Sequence, residues 1–426
     1  MGIILFSIPF FFLLIALEVA YSAWSGRRLL RLNDSIADLA CGVLSQLSGV
    51  FTKLFSIGIY IQVERHLAVQ RWLPGAPSWP EGAPLASPQV LASWVAIFIL
   101  VDFCYYWSHR LSHGINLLWA GHVVHHSSEE YNLAVALRQS SLHGLMTWVF
   151  YTPLALIGVP WRMYVAAYAL NLVYQFWIHT QAVDRLGRWT ELVMNTPSHH
   201  RVHHGRNPKY LDRNHAGVFI VWDRWFGTFQ PEEETPVYGI TRPLRSWNPL
   251  WANVHVFVDI ARDARRAGSW RDRWMYLFGP PGWRAAAEGG PVPPPEVDRA
   301  TAETWDPAVP PGLAAYGFVQ FALALVGSVL LLVKAGEMPM LHVAAAGFYV
   351  AVSLAGVGGV FERARWAGPM ETARLAVLGT VAIILGGTGA IPVTLAAAAA
   401  AFCILSIAWF LPRRAALTET ELAPLM

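Results

Sequence analysis

The chain has 426 residues, of which 55% are hydrophobic and only 14% charged, and its net charge is +3. At this length such a composition excludes a soluble enzyme and puts the chain among integral membrane proteins. The weak positive balance carries no nucleic-acid footprint and suits anionic lipid headgroups. Cys41, Cys104 and Cys403 each fall in an apolar run, which excludes a disulfide framework and a cysteine metal site.

Apolar runs near the ~20 residues a bilayer core requires lie at about residues 3–24, 37–62, 90–108, 161–180, 312–334, 339–361, 371–388 and 391–411. A shorter run, 144–158, ends at Pro160 and reads as half of a hairpin that enters the membrane and returns. The expected fold class is an all-α polytopic membrane bundle of about 8–9 segments, with a cytoplasmic helical cap. The first run has no small-x-small cleavage site before its basic flank and reads as an uncleaved span. Arg27, Arg28 and Arg31 follow it, Arg363, Arg365 and Arg374 lie between two late spans, and Arg413 and Arg414 follow the last. The positive-inside rule sets all of them in the cytoplasm, with the N-terminus and the loop 63–89 outside. Three blocks result: a membrane bundle at 1–180, a cap at 181–311 that ends in a Pro/Gly-rich linker, and membrane helices with a short tail at 312–426. The late spans show no clustered polar chemistry, and His342 stands alone there as an interfacial side chain.

Nine of the fifteen histidines fall in two clusters: His109, His113, His122, His125 and His126, then His199, His200, His203 and His204. On a helix, His109/His113, His122/His126 and His200/His204 are i,i+4 pairs, so each presents both imidazoles on one face. Neutral imidazole is a ligand for Zn, Cu, Fe and Ni, and so many ligands exceed the needs of one ion. A two-metal site follows. Catalytic zinc takes only three protein ligands and leaves most of the set unused, whereas two irons with open positions bind O2 and oxidise alkyl C–H bonds. No Gly-x-Gly-x-x-Gly fingerprint and no iron–sulfur cysteine set is present, so the reductant is external.

The strings His109-Arg-Leu-Ser-His113, His122-Val-Val-His125-His126 and His200-Arg-Val-His203-His204 carry the HxxxH, HxxHH, HxxHH signature. They resemble the fatty acid hydroxylase and sterol desaturase superfamily of integral membrane di-iron oxygenases. Longer strings, among them Tyr174-Gln-Phe-Trp-Ile-His-Thr180 and Asn195-Thr-Pro-Ser-His-His-Arg-Val-His-His-Gly-Arg-Asn207, are similar to its glyceryl-ether branch. That resemblance implies hydroxylation of the ether-linked carbon of an alkylglycerol, two Fe ions, O2 as co-substrate and tetrahydrobiopterin as reductant. It also implies the ligand set His109, His113, His122, His125, His126, His179, His200, His203 and His204. Gln175 stands four residues before His179, where relatives carry a further ligand, and is expected to hold a water or an amide contact. Gly114 replaces the Glu that animal members carry after the second histidine.

Around the ligands, Asp102, Glu129, Asn132, Arg138, Gln139, Asn195 and His199 are expected as partners of the second ring nitrogens. Asp102 is the sharpest, because a carboxylate in an apolar span is costly and faces the bundle interior. His199 points about 100° away from His200, which favours a supporting place. His143 reads as structural or supporting, His215 is left off the ligand set, and Trp222-Asp223-Arg224 reads as a structural turn. Two other functions stay open: hydroxylation or desaturation of a sterol or fatty acyl chain fed by a redox protein, and binding or transport of transition metals. The membrane is that of the endoplasmic reticulum or a bacterial inner membrane, the partner a membrane lipid, and oligomeric state is not legible.

Overall fold

A computed structural model describes residues 2–73, 75–76, 78–80 and 87–417. Among the described residues every regular element is helical, and only the isolated bridges Met194–Phe219 and Gly205–Tyr238 depart from this. Among the described residues seven helices are long and apolar enough to cross a membrane. The expected span 161–180 forms a helix of only 17 residues, Trp161–Trp177, and is not among the seven. The run 144–158 breaks into His143–Thr147, Trp148–Tyr151 and Thr152–Leu156. Part of the expected outer loop 63–89 lies outside the described residues, and its first residues extend the second helix to Leu67.

The chain divides into two compact units, the first of residues 1–31, 48–243 and 253–303, the second of 32–47, 244–252 and 304–426. In chain order the helices used below are α1 (Gly2–Ser25), α2 (Leu32–Leu67), α3 (Pro88–Gly114), α4 (Asn116–His126), α5 (Trp161–Trp177), α6 (Pro197–His203) and α7 (Trp270–Phe278). The late spans are α8 (Pro311–Lys334), α9 (Met340–Phe361), α10 (Ala367–Gly387) and α11 (Val393–Phe410).

In the first unit, α3 starts where Ser87 caps it, its Oγ accepting from the Val90 N–H at 3.3 Å, with Pro88 at the first helical position. It ends at Ile115, whose extended backbone turns the chain into α4. Asn116 fixes that corner: its N–H and Nδ2 donate to Gly279 O at 2.9 Å and Tyr276 O at 2.8 Å, at the end of α7. A core of Tyr60, Ile97, Val101, Tyr151, Leu154 and Met163 packs beside α3.

The second unit carries polar chemistry that hydropathy hid. Arg374, expected in a loop, sits inside α10 and is buried against the fully buried Glu371, with Nη2 2.7 Å from Oε2. Tyr316 of α8 donates to Glu371 Oε2 at 2.6 Å, while Arg374 donates to Tyr349 of α9 at 3.0 Å and to Gln320 of α8 at 2.8 Å. Gln320 in turn donates to Ser406 of α11 at 3.2 Å, so one satisfied network ties all four spans. The expectation that the late spans carry no clustered polar chemistry is thereby corrected: a charge pair is tolerated in an apolar bundle when each of its atoms finds a partner. Gly356 makes room for it, because a Cβ there would run into Glu371 Oε1.

Candidate metal centre

Nine imidazoles from four stretches of the first unit converge. His109, His113, His122, His126 and His203 form one set and His125, His179, His200 and His204 the other, with the ligand atoms in each set within 4.8 Å of one another. None of the nine residues is more than 7% exposed. The sets share a wall: His126 stacks on His204 with ring centroids 4.4 Å apart, and the His200 and His203 rings stack at 5.1 Å.

The second ring nitrogens explain the geometry. His109 Nδ1 donates to His215 O at 2.8 Å, His203 Nδ1 to Arg213 O at 2.8 Å, His125 Nδ1 to Arg138 O at 3.0 Å and His179 Nδ1 to Gln175 O at 2.7 Å. A carbonyl only accepts, so the proton sits on Nδ1 and the lone pair on Nε2. His113 Nδ1 lies 3.3 Å from Asp212 Oδ1. The Nε2 atoms face inward, His109 and His122 at 2.9 Å, His122 and His126 at 3.1 Å, His125 and His179 at 3.2 Å, His179 and His200 at 3.0 Å. Metal–imidazole bonds of roughly 2.1 Å place adjacent ligands about 3.0 Å apart and opposite ones about 4.2 Å apart. Nε2 of His113, His203 and His204 is buried with no hydrogen-bond partner. Buried polar atoms are otherwise paired, so these lone pairs fit a metal ion.

Burial first, then the repulsion of neighbouring imidazoles, holds His122, His126, His200, His203 and His204 well below the usual histidine range; for His125 the Arg138 carbonyl opposes this without reversing it. All are therefore neutral at pH 7, the form that can accept a metal ion. In the unfolded chain the same groups bind protons below about pH 6.5, whereas the folded cage does not, so stability and metal retention are present above that pH and are lost as pH falls below it. The expected result is a melting temperature and iron content that hold between pH 7 and 8 and drop together from pH 6.5 to 5, read by thermal unfolding and elemental analysis. A flat profile across that window would contradict neutral buried imidazoles.

The carbonyls that orient His109 and His203 belong to one short segment. Asp212 and Asn214 have φ of 56° and 55°, a left-handed conformation that turns the Arg213 and His215 carbonyls toward the cage. Two carboxylates hold the segment there. Asp223 accepts from the N–H groups of His215 and Ala216, both at 2.8 Å, and Asp102 accepts from those of Val218 and Phe219 at 2.8 and 3.0 Å. Asp102 also accepts from Trp222 Nε1 at 2.8 Å and Asn171 Nδ2 at 2.6 Å, and no imidazole touches it. Gly217 is required at the crossing, since a Cβ would meet Asp102 Oδ1 at 2.8 Å.

The other expected partners take distinct places. Arg138, 1% exposed, donates to Val124 O at 2.7 Å and Ser127 Oγ at 2.9 Å and so anchors the carbonyl that holds His125. Gln139 Nε2 lies 3.5 Å from His125 Nδ1. Asn132 donates to Leu29 O at 3.0 Å, and Asn195 to Ala216 O at 2.6 Å. Glu129 lies beside Gly239. Gln175 points elsewhere, its Nε2 donating to Asn171 Oδ1 at 2.6 Å; only its backbone carbonyl serves the cage. His199 is in neither set, with Nε2 2.9 Å from Glu191 Oε2. Burial raises the Glu191 carboxyl, but His199 and the Leu186 N–H outweigh it and bring it to about 2. His143 and His215 lie against the cage with ring centroids 5.1 Å from His122 and 5.0 Å from His113. Gly114, at the exposed end of α3, has nothing near the place a side chain would occupy. Glu18 and Glu191 were not singled out from sequence; a lone carboxylate in the first apolar span was the signal for Glu18.

A membrane chain whose buried imidazoles gather in two adjacent sets defines a histidine-rich membrane oxygenase, and residues 94–228 match the fatty acid hydroxylase family. Alkylglycerol monooxygenase of Xenopus tropicalis is 36% identical over 372 residues, 86% of this chain and 78% of the relative. That of Danio rerio is 35% identical over 384 residues, 87% and 80%, and that of Homo sapiens 41% over 277 residues, 65% and 58%. The chain belongs to the alkylglycerol monooxygenase family. No solved structure matches it.

Proposed function

We propose that the protein is a multi-pass membrane di-iron monooxygenase that hydroxylates the ether-linked carbon of alkylglycerol lipids. The observation that carries this reading is the convergence of nine buried imidazoles into adjacent sets of five and four in a member of this family. His109, His113, His122, His126 and His203 would hold one iron, and His125, His179, His200 and His204 the other, which is the more open. When bound, the irons supply O2 activation for C–H oxidation. The chain's own part is to present Nε2 lone pairs, to lock His109, His125, His179 and His203 through Nδ1 on backbone carbonyls, and to exclude bulk water by burial. One oxygen atom of O2 enters the C–H bond beside the ether oxygen and the other leaves as water, with an electron pair and protons from an external reductant, here tetrahydrobiopterin. The hemiacetal then passes its hydroxyl proton to the glycerol oxygen as the C–O bond breaks, releasing fatty aldehyde and glycerol.

We infer the orientation from the positive-inside rule: with the N-terminus outside and the seven candidate spans of the described residues crossing in alternation, Arg27, Arg28, Arg31, Arg363, Arg365, Arg413 and Arg414 are all assigned to the cytoplasm, and so are His109 and His113 at the end of α3. The test is protein in nanodiscs, loaded with Fe(II) and given a 1-alkylglycerol, O2 and reduced pterin; fatty aldehyde is expected. Oxidised sterol or acyl chain with a redox protein and no aldehyde from the ether would overturn the substrate, and metal flux across vesicles without oxidation would overturn the enzyme.

A further inference from the structure

Glu18 is the single acidic residue of α1, a helix that otherwise turns mostly apolar side chains outward. It is only 4% exposed. One carboxylate oxygen accepts from the Thr180 hydroxyl and the other from the Leu133 N–H at 2.8 Å. Thr180 directly follows His179, and Leu133 belongs to the segment after α4 whose Arg138 carbonyl holds His125. Phe11 of α1 stacks on Phe176 of α5 with centroids 4.2 Å apart, and Leu133 packs in the same cluster, so the carboxylate is delivered in a fixed place.

His179 is the one cage imidazole outside both histidine-dense stretches. It sits in the turn just past the end of α5, with its Nε2 between His125 at 3.2 Å and His200 at 3.0 Å. Its own helix holds it only from the last turn, by its N–H to Phe176 O at 3.3 Å and its Nδ1 to Gln175 O at 2.7 Å. We infer that Glu18 is a positioning residue for the four-histidine set: through Thr180 and Leu133 it makes the first membrane helix part of the support of His179 and His125, and of no ligand in the five-histidine set. A carboxylate in an apolar span is retained where it does such work.

This rests on the two-metal reading, and the experiment separates the two. Iron per chain and Mössbauer spectra are measured on the full-length protein and on Glu18→Leu, Glu18→Gln and Thr180→Val. Two distinct iron environments in the unsubstituted protein are the precondition; if they are absent, the two-metal reading fails whatever the variants do. In Glu18→Leu, affinity for one iron is expected to fall by roughly 10- to 100-fold while the other signal is unchanged. Thr180→Val, which loses only one of the two contacts, shifts the same signal less. Glu18→Gln accepts from Leu133 and donates to the Thr180 oxygen, and therefore restores the lost iron. Retention of both irons in Glu18→Leu, loss of both together in Thr180→Val, or a Gln variant no better than Leu would overturn the inference.

Discussion

Replacing His203 by alanine is expected to remove iron from the five-histidine set and with it all ether cleavage. The side chain is buried, its Nε2 has no hydrogen-bond partner, and its ring lies 4.4 Å from His109 and 4.7 Å from His126. Alanine therefore deletes a proposed ligand and frees the Arg213 carbonyl it was locked on. Loss of a group that merely orients a ligand costs about 10- to 100-fold in affinity, so loss of the ligand itself costs at least the upper figure. His199→Ala is the informative control. That ring pairs with Glu191 and belongs to neither set, so its loss costs a hydrogen bond, on the order of 1 kcal/mol, and leaves iron in place. Elemental analysis beside aldehyde yield reads both, and full iron in His203→Ala would take it out of the ligand set.

Asp102→Leu is expected to unfold the centre without touching a ligand. Four N–H groups, of Val218, Phe219, Trp222 and Asn171, end on this carboxylate. Each donor left unpaired costs about 1–3 kcal/mol, so the sum is of the order of a typical domain's whole stability, about 5–15 kcal/mol. The damage reaches the metal because the segment Asp102 ties down leads back to the Arg213 and His215 carbonyls. Thermal unfolding in detergent should show a large drop together with loss of iron, and Asp102→Asn, which keeps one acceptor oxygen, should lie between. An unchanged melting curve for Asp102→Leu would mean the segment is held by something else.

How far the chain announces this architecture depends on the range of the force involved. Hydropathy located six of the seven candidate spans to within a few residues, because burying apolar length in lipid is a local demand; it fell short at both ends of α2 and counted 161–180 as a span that is not among the seven. The i,i+4 spacing placed His109 with His113 and His122 with His126, because helix geometry is local too. Gln175 stood where the resemblance implies a further ligand, yet its amide turns to Asn171, which is itself bound to Asp102 on another helix. Arg374 read as a loop residue, since hydropathy sees a charge and not the Glu371, Tyr349 and Gln320 atoms gathered around it.

What the amino-acid order determined alone is a multi-pass membrane chain carrying histidine pairs with too many imidazoles for one ion. Composition and helical periodicity act within a few turns, and so survive without any fold. Which imidazoles share a set, that His126 joins His109 while His125 joins His179, and that Glu18 meets Thr180 and Leu133 while Asp102 holds the Val218 and Phe219 N–H groups, was decided by tertiary structure. Those contacts join residues up to 162 positions apart, and only the packed helices bring such partners within hydrogen-bond reach.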